Sequence, residues 1–152
     1  MRYTSSIEGV EPTDLVGFFD GWPQPPTAMQ HLEILRRSTY VHIAVDEESK
    51  VVGFITSISD GVLSAYIPLL EVRADARGRG IGSQLVRLML DRLSDLYMVD
   101  LTCDPDTLGF YEHLGMRAAT GASLRRPNAL SIKANGGVAS DSDGNHPIDD
   151  AP

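Results

Sequence analysis

The sequence predicts one domain of the α/β (α+β) class built on a mixed sheet, and three observations predict it. Apolar residues alternate at strand period over residues 40–46 and continue as extended apolar runs at 51–59 and 62–72, joined by short polar turns. Beyond residue 80 helical and extended patterns take turns, as they do when helices pack on a sheet. The chain has 152 residues, 42% hydrophobic and 22% charged, which suffices for one core without staples.

Taken in order, PTDLVGFFD (12–20) carries Leu15, Phe18 and Phe19 on one face of a helix, with Thr13 or Asp14 as its cap. DGWPQPP (20–26), with three prolines and a glycine, excludes helix. A second helix begins near Thr27 and runs through MQHLEILRR, with Met29, Leu32 and Leu35 as its apolar stripe. YVHIAVD (40–46) alternates through Val41, Ile43 and Val45. The polar turn EESK then leads to VVGFITSIS (51–59), and the two runs read as a hairpin.

Asp60-Gly61 is a turn signal, and VLSAYIPLLEV (62–72) follows as a third strand, apolar enough to be central with both faces covered. Pro68 inside it cannot donate to a ladder and so marks a bulge or a local splaying from a neighbour. After RGRGIG (77–82) comes the clearest helix, with Ile81, Leu85, Leu88, Met89 and Leu93 on one side and Arg87, Asp91 and Arg92 on another. YMVDLTC (97–103) is a further extended run. DPDTLGFYEHLGM (104–116) opens with a helix-start Asp-Pro and closes on Gly115 as a C-cap. Ala119–Arg125 is expected as a last short strand. Residues 131–152, rich in Gly, Ser, Asp and Asn, are expected to be a disordered acidic tail after a domain spanning 1–130.

Charge and composition narrow the function classes. A net charge of -8 disfavours nucleic acid as a partner, because that affinity rests on cationic neutralisation of phosphates. The lone Cys103 forms no intramolecular disulfide, and His31, His42, His113 and His146 make no metal-binding pair, so no metal is expected. The N-terminus has no apolar leader-like core and no apolar run approaches ~18 residues, so the expectation is a cytoplasmic protein without a membrane partner.

RGRGIG carries the strongest chemical signal. A strand, a glycine-rich turn and a helix start together make an anion site. The first N–H groups of the helix lack partners and carry the positive end of its dipole. Gly78, Gly80 and Gly82 leave room for phosphate oxygens to approach, and Arg77 and Arg79 add forked cationic donors. A P-loop is excluded, since no lysine follows and Ser83 stands sixth from Gly78. The dinucleotide fingerprint GxGxxG fails as well, with Ser83 or Leu85 at its third glycine. The pattern that fits is Q/R-x-x-G-x-G/A, here Arg77-Gly78-Arg79-Gly80-Ile81-Gly82.

At this segment the chain resembles the Gcn5-related N-acetyltransferase (GNAT) family. LLEVRADARGRGIGSQLVRLML is similar to its central strand, pyrophosphate loop and following helix. DLTCDPDTLGFYEHLGM is similar to its next strand and helix, with Met116 where an aromatic is usual and Ala74 where proline is frequent. The likeness covers roughly residues 40–125. It implies a mostly antiparallel central sheet flanked by helices, with a bulged central strand splayed from the next, parallel strand.

It also implies acetyl-CoA as acyl donor. Backbone groups of Leu70 and Val72 would pair with pantetheine, and Arg77, Gly78, Arg79, Gly80, Ile81 and Gly82 would hold the pyrophosphate. The implied reaction is direct acetyl transfer to a primary amine on a small molecule or protein. It needs a neutral amine, a stabilised oxyanion and a proton for the leaving thiolate. Tyr111 matches the family's general acid. Glu71, on the central strand, is the candidate base, with Asp100 and Asp104 as lesser ones. Cys103 as a covalent nucleophile is a minor route, and His113 faces elsewhere on its helix. Trp22 either caps the acceptor pocket or anchors its loop. A CoA-binding sensor without catalysis and a nucleotide-binding protein are the rival readings, and a homodimer is a possible assembly.

Overall fold

The hairpin expected over residues 40–59 forms the centre of the molecule. In the computed structural model, which describes residues 1–126 and 129–130, strands β2 (Tyr40–Val45) and β3 (Val51–Ser59) pair antiparallel around a turn. Asp46 closes that turn, its Oδ1 accepting from the N–H groups of Glu48 and Lys50, both at 2.9 Å. Three further strands complete the sheet: β1 (Arg2–Thr4), β4 (Ser64–Val72) and β5 (Met98–Asp100), in the order β1-β2-β3-β4-β5. Only the β4–β5 pair is parallel. The mixed, mostly antiparallel sheet is therefore as expected, while the short β1 had no alternation long enough to announce it.

Helices cover both faces. On one, α2 (Ile81–Arg92) and α3 (Leu108–Glu112) pack Ile81, Leu85, Val86, Met89 and Tyr111 against Ile55, Ala65 and Ile67. On the other, α1 (Ala28–Arg37) packs Leu32 and Leu35 with Leu15, Phe18 and Phe19 against Ile43 and Phe54. Each fully buried Leu, Ile or Phe contributes roughly 1.5–3 kcal/mol, so these two layers carry most of the stability. Helix α2 lies close to β3 because Gly53 lacks a side chain. A Cβ there would stand 3.1 Å from Ile81 Cγ2, 3.2 Å from Leu85 Cδ1 and 3.3 Å from the Glu71 carbonyl.

Several sequence expectations require correction. PTDLVGFFD makes only a 3-10 turn, Pro12–Leu15, with Glu11 rather than Thr13 or Asp14 at its cap. Gly17 and Phe19 take left-handed φ values of 87° and 60°, which break the helix while still burying Phe18 and Phe19. Helix α1 is capped by Thr27 as expected, its Oγ1 accepting from Gln30 N–H at 3.2 Å. Its Met29, however, is 66% exposed, and His31 takes the buried place. The third strand starts at Ser64, leaving Val62 and Leu63 in the exposed turn. The expected helix over 104–116 is a turn followed by five residues of α3. Gly115 ends it at φ 93°, with Met116 N–H bonding back to the Tyr111 carbonyl. Residues 116–126 form no ladder, so the strand expected at Ala119–Arg125 is absent. Between 119 and 125, Leu124 is the one large apolar side chain and it is exposed, so a strand there would bury nothing. The tail expected over 131–152 lies outside the described residues.

Pro68 does mark a bulge. Thr56 pairs with Leu69 and Ile58 with Tyr66, so Ser57 faces both Ile67 and Pro68. The extra residue shifts the alternation of β4. Ala65 and Ile67 before it, and Leu70 and Val72 after it, all face the α2 side. Leu69 and Glu71 face the α1 side. Contrary to a strand covered on both faces, Tyr66 and Pro68 are exposed.

Candidate active site

Strand β4 has partners on both sides only over its first residues. Its pairing with β5 runs Ser64–Met98, Ala65–Val99 and Tyr66–Asp100 and then ends. Beyond Tyr66 the edge of β4 that faced β5 is left open by the departure of that strand. The Arg73 N–H bonds the Val52 carbonyl at 3.0 Å, which fixes the ladder's alternation. Glu71 therefore points its backbone groups at β3, whereas Leu70 and Val72 point theirs into the gap. Arg77 braces the end of that gap, its Nε donating to the Val72 carbonyl at 3.0 Å.

The gap leads to the start of α2. Gly78 and Gly80 hold left-handed φ values of 74° and 76°, costly for any residue with a side chain. A Cβ on either would meet nothing within 4 Å, so the ground in front of both is open. The first intrahelical bond runs from Gln84 N–H to the Gly80 carbonyl at 3.1 Å. The N–H groups of Ile81, Gly82 and Ser83 thus have no intrahelical partner. Gly82 is different: a Cβ there would lie 3.7 Å from Phe110 Cζ and Val72 Cγ2, ordinary contact. Open left-handed glycines, unpaired N–H groups and the exposed Arg77 and Arg79 fit a pyrophosphate.

Tyr111, on α3, is 8% exposed and packs in the α2-side core, its ring edge-on to Phe110 at 4.9 Å. Burial pushes its phenol pKa up, and nearby Cys103 adds to the rise. Tyr111 therefore stays protonated at neutral pH. Cys103 is a free, half-buried thiol packed against the same core. Asp100, Asp104 and His113 are exposed. Among the described residues no group of three or more His, Cys, Asp or Glu side chains could hold a metal ion. No helix among them is long and apolar enough to cross a membrane.

Glu71 stands on the opposite face of β4, directly across from Phe54. It is half-buried, and desolvation raises its pKa. The Arg77 guanidinium, the Phe19 N–H and the Trp22 indole N–H pull the other way, while the Asp20 charge adds to the rise. Phe19, in the loop from the 3-10 turn to α1, packs on Phe54, the residue across from Glu71, at a ring distance of 5.9 Å. That neighbourhood was only partly legible. Trp22 stood out as an aromatic in a proline-rich loop, but the Phe19 N–H depends on a left-handed backbone that no side chain announces. Behind the loop, His31 is enclosed by Phe18, Phe19 and Phe54 at ring distances of 5.3, 4.9 and 4.4 Å. Burial lowers its pKa to about 4; the nearby Leu15 carbonyl offsets part of this without reaching hydrogen-bond geometry.

The chain belongs to the acetyltransferase (GNAT) family, whose model matches residues 8–116, and by that membership is an acyl-CoA-dependent N-acetyltransferase. The match begins well before residue 40, because the 3-10 turn and α1 are part of the fold although they carry no motif. A Deinococcus radiodurans R1 protein described as an acetyltransferase has a crystal structure with 46% identity and a TM-score of 0.82 to this chain, covering 86% of this chain and 91% of that one. A GNAT-family protein of Streptococcus pneumoniae TIGR4 shares the fold at 23% identity and a TM-score of 0.67, over 82% of this chain and 97% of that one. An uncharacterized N-acetyltransferase of Pyropia yezoensis is 26% identical over 121 residues, 74% of this chain and 68% of the relative.

Proposed function

We propose that this protein moves the acetyl group of acetyl-CoA directly to a primary amine in a ternary complex. The observation that carries this reading is the open edge of β4. Leu70 and Val72 turn their backbone groups into a gap that ends at the glycine cradle of α2. Leu70 and Val72 offer that edge to the pantetheine chain, as a further strand would use it. The N–H groups of Ile81 and Gly82, the open fronts of Gly78 and Gly80, and the guanidinium groups of Arg77 and Arg79 hold the pyrophosphate. The thioester supplies an activated acyl carbon, and the chain's own residues manage the protons.

Glu71 acts as the base. Its carboxylate takes a proton from the acceptor's ammonium group, and desolvation brings its basicity toward that task. The freed nitrogen attacks the thioester carbonyl, so that an N–C bond forms and the C–S bond breaks. Tyr111 acts as the acid: its protonated phenol gives the departing thiolate a proton, and the new amide nitrogen sheds its second proton to restore the phenol. The reaction releases one proton net. Cys103 stays a spectator in this direct route.

Thiol release from acetyl-CoA across a panel of small amines and amine-bearing peptides tests the reading. Amine-dependent release that falls in both Glu71→Gln and Tyr111→Phe is expected. Donor binding with no release on any amine would favour a CoA sensor instead. Preferential binding of ATP or NAD over acetyl-CoA in calorimetry would overturn the donor assignment.

A further inference from the structure

We propose that Tyr66 and Thr102 form a clasp at the closed end of the gap beside β4, and that this clasp limits the length of acyl chain the enzyme accepts. That role rests on the proposed donor placement, in which pantetheine runs along Leu70 and Val72. The Tyr66 phenol and the Thr102 hydroxyl lie 2.7 Å apart, a hydrogen bond formed just where the β4–β5 ladder has ended. Tyr66 faces Asp100 in the last parallel pair, and Thr102 stands two residues further on. Had the ladder continued, Thr102 would lie beside Pro68, which has no N–H to give and sits in the bulge. The side-chain bond takes over where backbone pairing stops.

Its reach limits the width of the gap there. An aromatic side chain spans to the residue diagonally opposite on a neighbouring strand, roughly 7–8 Å away. The chain is thus still close to β4 at Thr102, and the gap is a wedge with its mouth at the α2 cradle and its apex at the clasp. A donor anchored at the cradle by its pyrophosphate points its acyl end at that apex. The apex is closed on both faces of the sheet. On the α2 side Ile67 is buried, and Leu101 and Cys103 pack against the same core. Tyr66 lies between Ala65 and Ile67, which both face α2, so its ring is turned to the α1 side, beside Ile58 of β3. The chain at Gly121 backs Thr102 in turn: a Cβ there would meet Thr102 Cγ2 at 3.8 Å, ordinary contact.

An acetyl group ends one methyl beyond the thioester carbon, whereas each further methylene carries the chain toward the clasp. Ile67 and Leu101 welcome any alkyl chain, so room rather than polarity decides which one fits. Tyr66 is 38% exposed and Thr102 is exposed, so neither fills the core and the fold should survive the loss of their bond. A ring released from Thr102 can swing toward solvent and lengthen the wedge.

Calorimetry with acetyl-CoA and butyryl-CoA on the wild type, Tyr66→Phe and Thr102→Val tests the clasp. Both substitutions remove a hydroxyl and keep the bulk of the side chain. The wild type should bind acetyl-CoA at least about tenfold more tightly than butyryl-CoA, because the added methylenes meet a closed end. Each single variant should shrink that ratio several-fold, through a gain for butyryl-CoA rather than a loss for acetyl-CoA. The double variant should go no further than either single one, because the two remove the same bond. A hydrogen bond that served only stability would lower the melting temperature and leave the ratio where it was. A ratio unmoved in both single variants, two effects that add in full, or equal affinity of the wild type for the two thioesters would overturn the proposal. If neither thioester binds the wild type, the donor placement itself falls, and the clasp with it.

Discussion

Glu71 and Tyr111 lie on opposite faces of the sheet, and their environments suit them to the opposite proton roles proposed for them. Burial keeps Tyr111 protonated, and it leaves Glu71 a better base than a solvated carboxylate. Replacing Glu71 with Gln should lower kcat/KM by roughly 10²-fold near neutral pH. The loss should shrink at high pH, where the amine is already neutral, and a pH–rate profile checks both points. Tyr111→Phe should lower kcat by about the same factor, since the thiolate then leaves without its proton. The cradle glycines divide by what a side chain would meet. Gly80→Asp projects a negative charge into the open ground before the α2 N-terminus, so acetyl-CoA affinity should fall at least about tenfold in calorimetry. Gly82→Ala separates folding from function. Its Cβ makes only ordinary contacts and alanine is the better helix former, so melting temperature should hold or rise by the equivalent of up to ~1 kcal/mol. Donor binding should nevertheless weaken, because that Cβ points at Val72 and Leu70 beside the gap.

Among the elements, those with strong local signals were legible and those held by distant contacts were not. RGRGIG and the helix after it could be read because alternating glycines at a helix start contradict helix propensity and so need another cause. Pro68 could be read as a bulge because proline removes a ladder donor in any context. The 3-10 turn at Pro12–Leu15 looked like a helix because Leu15, Phe18 and Phe19 have helical spacing. Their burial comes instead from left-handed turns at Gly17 and Phe19, a tertiary outcome that the pattern cannot encode. Met29 was misplaced for a related reason: three phenylalanines from other segments select His31 as the inward residue. The three residues of β1 are too short to alternate and exist by pairing with β2. The α2–β3 contact makes its own prediction. Gly53→Ala pushes a methyl to within about 3 Å of Ile81 and Leu85 and should cost ~1–3 kcal/mol in urea denaturation. Because α2 carries the cradle at its N-terminus, weaker acetyl-CoA binding should accompany that loss.

For the whole molecule, His31 couples stability to pH. Its folded-state pKa of about 4 lies below the unfolded value of 6.5, so the unfolded chain binds the extra proton first. Stability is fully present above about pH 6.5, declines as pH falls, and is lost through pH 4. The total from this group is at most roughly 3 kcal/mol. His42, lowered by burial and then by the Arg92 charge, acts in the same direction. Urea midpoints at pH 7 and pH 4.5 should differ, and His31→Phe should reduce the difference. Phe19 packs on His31, so the acceptor side proposed around Glu71 should loosen over the same interval.

The central claim is that the open edge of β4 and the α2 cradle present an acetyl group to an amine deprotonated by Glu71. Steady-state thiol release from acetyl-CoA, measured with an amine panel on wild type and Glu71→Gln across pH, tests it most directly. The account predicts amine-dependent release in the wild type with an acid limb that Glu71→Gln removes along with most of the rate. Release that is independent of the amine, or an unchanged acid limb in Glu71→Gln, would contradict it.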